Sequence, residues 1–108
     1  MDHTGVNRVT EVVFREHVRT SVLLILRAIY PKPLSLSVLQ KSLNRSRAIE
    51  IAINPLLAEL HYLDEKQLIR LKVGTSPMSL RAQLTARGID FLDGHIHEVG
   101  LASPDLFD

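Results

Sequence analysis

Cysteine is absent from the chain. That excludes a disulfide framework and a cysteine-based zinc site, and it fits a reducing compartment. Long apolar runs are absent too. The most apolar stretch, residues 21–30, is interrupted by Arg27 and falls far short of the roughly 20 residues a membrane span needs. The opening Met1-Asp2-His3-Thr4-Gly5 has neither the basic start nor the apolar stretch of a secretory signal. These absences lead to the expectation of a cytoplasmic protein that makes no use of a membrane. There is no glycine-rich phosphate loop, and no Ser-His-Asp arrangement can be argued from the spacing. His95 and His97 alternate ahead of Glu98, so in an extended segment both imidazoles point one way and can meet a metal. No third ligand accompanies them at a recognisable spacing. The expectation is a protein that is no enzyme and carries neither metal nor cofactor.

Lys and Arg are missing from residues 88–108, which hold five acidic side chains. The counterpart lies upstream, where residues 32–87 hold nine basic side chains against four acidic ones. The formal net charge of +1 therefore hides a basic middle and an acidic tail, an asymmetry that suggests a basic contact surface. The length, 108 residues with 45% of them hydrophobic, is enough for one domain with one modest core.

Residues 9–30 have a helical period. Phe14, Val18, Val22, Ile25, Leu26 and Ile29 recur at three- and four-residue spacing and share a face. Pro31 and Pro33 end that helix. Residues 34–36 fit a short strand. Ser37 and Gln40 match a capping box and predict a second helix over residues 38–43. Asn44-Arg45-Ser46 is turn chemistry, with Ser46 as N-cap of a third helix over residues 47–63. Its inward stripe is Ile49, Ile53, Leu56, Leu57 and Leu60. Pro55 falls inside this helix, where it either kinks it or, with Asn54 as cap, restarts it.

From Ile69 the period changes to two. Ile69, Leu71 and Val73 alternate with Arg70 and Lys72, and Met78, Leu80, Ala82 and Leu84 alternate with Ser79, Arg81 and Gln83. Around Gly74-Thr75-Ser76-Pro77 this predicts a β-hairpin with Arg70, Lys72 and Arg81 on one face. Thr85 caps a last helix over residues 86–93, which Gly94 stops. Residues 95–108 show no periodicity and are expected to form an extended acidic tail. Residues 1–8 are expected to be flexible, leaving residues 9–94 as the folded domain.

Helix, short strand, helix, turn, helix, hairpin, helix is the winged helix-turn-helix order, a mainly α fold with a small β-hairpin. The stretch Leu84-Thr85-Ala86-Arg87-Gly88-Ile89-Asp90-Phe91-Leu92 resembles the segment that follows the wing in MarR- and PadR-type regulators. Over residues 20–108 the chain looks most like a family of small, poorly characterised winged-helix proteins of Mu-like phages and prophages. The matching parts are the apolar first helix, Leu56 to Leu63, the hairpin, Thr85-x-Arg87-Gly88-x-Asp90, and a tail containing Ser103-Pro104. Asn54-Pro55 and the acidic tail depart from that pattern. The resemblance implies the fold more firmly than an activity.

On that fold the start of the third helix enters the major groove of double-stranded DNA. The expected contacts are Lys41, Arg45, Ser46, Arg47 and Asn54, with Arg70, Lys72 and Arg81 of the wing on phosphates. A phage or prophage transcription regulator is one expectation. An opposing sign is that 100° per residue turns Ile51, Pro55, Ala58 and Tyr62 outward from the third helix, and Val13 and Leu24 away from the first helix's stripe. Exposed apolar stripes mark protein interfaces. Val13, Leu24, Ile51, Ala58 and Tyr62 are thus candidates for a homodimer contact, or for a surface that meets another phage or host protein. Alternatively, the tail folds back over one stripe and enlarges the core.

Overall fold

The computed structural model describes residues 4–76 and 79–107, and side chains from Arg8 onward. Its elements run α1 (Thr4–Arg27), β1 (Leu34–Ser35), α2 (Leu36–Arg47), α3 (Ile53–Glu65), β2 (Ile69–Lys72), β3 (Arg81–Leu84) and α4 (Ala86–Leu92), followed by a short 3-10 turn at Pro104–Leu106. The fold is mainly helical with a three-stranded antiparallel sheet in the order β1-β3-β2. Among the described residues no helix is long and apolar enough to cross a membrane.

α1 starts earlier than its apolar period suggests, so residues 4–8, expected to be flexible, are helical. It also stops earlier. Ala28, Ile29 and Tyr30 donate to the carbonyls of Ile25, Leu26 and Arg27, each three residues back, the tightening common at helix ends. The second half of α1 is the centre of the molecule, with Val18, Val22, Leu23 and Leu26 fully buried. Phe14, expected on that stripe, is 41% exposed and lines a hollow with Ile51, Pro55 and Ala58.

α2 differs most from expectation. Its N-cap is Ser35, whose hydroxyl accepts from the Val38 amide, not Ser37. Gln40 donates instead to the Ile51 carbonyl. Asn44-Arg45-Ser46 does not turn. Ser46 donates its hydroxyl back to the Ser42 carbonyl at 2.6 Å and the helix continues to Arg47. The stop comes at Ala48, in the left-handed region with φ 54°, where the Ile49 amide bonds back to the Leu43 carbonyl.

α3 begins at Ile53 with Ala52 as N-cap, so Pro55 sits in the first turn. Amides there have no intrahelical partner, and the proline that threatened a kink costs no hydrogen bond. Leu56, Leu60 and Leu63 are fully buried, and Ile49 is buried from the preceding loop.

The hairpin keeps its expected faces along β2 and β3, but Val73, expected on the apolar row with Ile69 and Leu71, lies past the end of β2 and is 73% exposed. Ile69 pairs with Leu84 and Leu71 with Ala82 toward the core, while Arg70 pairs with Gln83 and Lys72 with Arg81 on the outer face. β1 adds Leu34 against Ala82 and Ser35 against Arg81. Pro77 and Met78, expected at the turn and in the second strand, lie outside the described residues. α4 has the expected cap, Thr85, whose hydroxyl accepts from the Gly88 amide at 3.1 Å. Gly88 must be small, since a Cβ there would lie 2.4 Å from the Leu68 carbonyl oxygen and 2.5 Å from a Leu84 methyl. In this chain the Leu84-Thr85-x-x-Gly88 segment closes α4 onto the hairpin.

The tail is not an outlying extension. Leu101 is buried. The Ala102 amide donates to the Glu16 carbonyl and Thr20 donates to the Ala102 carbonyl at 2.7 Å. Phe107 stacks on His17, ring centroids 4.5 Å apart. Residues 99–107 thus strap α1.

Candidate functional site

The eight candidate contact residues do not form one surface. Arg45, Ser46 and Arg47 sit at the C-terminal end of α2, not at the start of α3, with Lys41 near the middle of α2. Ser46 is tied to its own helix. Arg47 is half-buried, with its guanidinium 5.9 Å from the Phe107 ring and its Nε buried without a partner among the described residues. It faces the strap. Lys41 and Arg45 are exposed and border a hollow of about 590 Å³ with Gln40, Asn44 and Glu50. Asn54 stands apart in the first turn of α3.

α3 itself is not basic. It carries no Lys or Arg, and its exposed positions are Asn54, Pro55, Ala58, His61 and Glu65. Of its acidic residues, Glu65 is exposed, Asp64 is half-buried and Glu59 is 4% exposed. Glu59 accepts from Arg19 Nε at 2.7 Å and from Arg15 Nε at 2.9 Å. Arg19 also donates to the Gly100 carbonyl at 2.7 Å and lies 3.7 Å over the Tyr62 ring. This buried network joins α1, α3 and the strap.

The hairpin residues do come together. Arg70, Lys72 and Arg81 are exposed on the outer face of the sheet, with Lys72 directly opposite Arg81. Side chains so placed lie about 5 Å apart at Cβ, and like charges there repel. Among the described residues, none of the three takes part in an ion pair within the chain. The fold also brings in a segment that the sequence reading left out. Gln83, on the same face, donates to the Pro31 carbonyl at 2.5 Å, which sets the exposed Tyr30 and Lys32 beside the sheet. Tyr30, Arg70, Gln83 and Thr85 line a hollow of about 180 Å³. The tie spans 52 residues, and no local pattern announces it. The outer face thus gathers the cationic Arg70, Lys72 and Arg81 beside the Tyr30 phenol.

The apolar candidates also separate. Tyr62 is half-buried under Arg19, and its hydroxyl donates to the Val99 carbonyl. Leu24 is half-buried and lines a groove between α1 and α2 with Val38 and Lys41. Ile51 and Ala58 share a hollow of about 360 Å³ with Phe14 and Pro55. Val13 is exposed with Val9 and Val12, and at 100° per residue these three turn away from that hollow. The alternative that the tail covers one stripe therefore holds for Tyr62 and not for Val13.

The chain matches no protein-family model, no curated protein and no solved structure.

Proposed function

We propose that the chain is a winged helix-turn-helix module that binds double-stranded nucleic acid through its phosphates, using the outer face of the hairpin sheet. The element order and the β1-β3-β2 sheet support the fold. One observation carries the contact surface: Lys72 opposite Arg81, with Arg70 adjacent, on a face where none of the three has an ion-pair partner among the described residues. Repulsion between such groups is relieved when an anion lies across them. Phosphate contacts of this kind confer affinity with little sequence information. α3, which lacks Lys and Arg, adds Asn54, His61 and Glu65 as its exposed polar groups able to meet base edges. A regulator that reads a defined site needs more than those, so the reading is for sequence-tolerant binding.

The test is an anisotropy titration of the whole chain on random-sequence duplex across a salt series. Four phosphate contacts, from Lys32, Arg70, Lys72 and Arg81, give a log–log slope of roughly −3 to −4. Absence of binding at tens of micromolar at low salt defeats the proposal. An interaction module without nucleic-acid binding is the second reading, favoured by the exposed valines of α1.

A further inference from the structure

The valine face at the start of α1 is left uncovered within the chain, while on the other side of the helix Arg15 pairs with Glu59 of α3. Every position from Arg8 to Arg15 is exposed, and Val9, Val12 and Val13 are 64%, 54% and 57% exposed. Spacings of three and four put these valines on one stripe, which Glu16 continues toward the strap. Short isolated helices are marginal in water, and valine lowers helix propensity further. A solvated loop of this length would tolerate charged or small residues on that stripe, whereas a packed helix calls for the apolar ones found there.

The flanking charges indicate which partner fits. Arg8 lies four residues before Val12 and Glu16 four after it. In an antiparallel pair of α1 helices whose two-fold axis passes by Val12, Arg8 of each copy meets Glu16 of the other. A parallel pair sets like against like. Among the described residues, neither side chain takes part in an ion pair within the chain. We propose that a second copy of this chain docks antiparallel along residues 8–16 of α1, burying Val9, Val12 and Val13 and forming two Arg8–Glu16 pairs. The contact is self-complementary, as a two-fold interface must be. It does not rest on nucleic-acid binding.

Sedimentation of the full chain at micromolar concentration tests it. One copy is 12.1 kDa, and the wild type is expected to sediment as the pair. Val12→Glu should yield the single copy. Since Val12 is exposed within one chain, its circular dichroism should be unchanged. Arg8→Glu and Glu16→Arg should each weaken pairing about tenfold or more, and the double variant should recover it. A wild-type monomer at 100-micromolar order overturns the proposal and leaves the stripe to a different protein. Pairing that survives Val12→Glu, or a double variant that does not recover, also overturns it.

Discussion

Ala48 holds φ at 54° where the chain leaves α2, a conformation costing an L-residue about 1–2 kcal/mol. Glycine avoids that clash but loses more freedom on folding. Ala48→Gly should therefore stabilise the protein by up to about 1 kcal/mol. A urea midpoint that rises is the expected result, and one that falls would place the end of α2 elsewhere. Glu59 is the more consequential residue. Its carboxylate, 5% exposed, holds the Arg19 guanidinium, itself 8% exposed, and Arg15. Glu59→Ala leaves a buried cation without its partner and should cost about 3–5 kcal/mol. A loss below 1 kcal/mol in equilibrium denaturation would show that water reaches Arg19. Neither role was legible in the sequence. The ion-pair partners lie 40 and 44 residues apart, and no local pattern links Glu59 to arginines on another helix.

Among the elements, the hairpin and α4 were the most legible, because alternation and a Thr cap are local signals. The boundary between α2 and α3 was not. Asn44-Arg45-Ser46 favours turns through side chain–backbone bonds, but Ser46 makes the helical version of such a bond, to the Ser42 carbonyl. That moved Arg47 from the start of the expected third helix, and Arg45 from the turn before it, into α2, and took the basic charge away from the helix expected to read bases. The strap was illegible for another reason. It binds largely through the carbonyls of Val99, Gly100 and Ala102, which no side-chain pattern encodes, with Leu101 as its one buried apolar anchor. Deleting residues 95–108 removes the Gly100 carbonyl from Arg19 and the Ala102 carbonyl from Thr20 and exposes the Leu101 site. The truncated chain should lose about 2 kcal/mol or more, judged from Leu101 alone. An unchanged thermal midpoint would return the tail to the dispensable role that its irregular sequence suggests.

For the whole molecule, the fold rearranges the charge read along the chain. Asp93, just before the tail, pairs with Arg27, and Glu98 within it pairs with Arg87, while Asp105 takes part in no ion pair among the described residues. The cations left unpaired among the described residues include Arg70, Lys72 and Arg81, gathered by the register of β2 on β3. The measurement closest to the central claim compares two variants on random-sequence duplex at low salt. One neutralises the sheet face (Arg70→Ala, Lys72→Ala and Arg81→Ala together), and the other strips the α3 face (Asn54→Ala with His61→Ala). The sheet-face variant should bind at least tenfold more weakly, with the salt slope shallower by roughly 3 for three lost phosphates. The α3 variant should stay within about twofold of wild type, as expected of groups making no phosphate contact. Weakening confined to the α3 variant, with the sheet-face variant and its salt slope unchanged, would contradict the account.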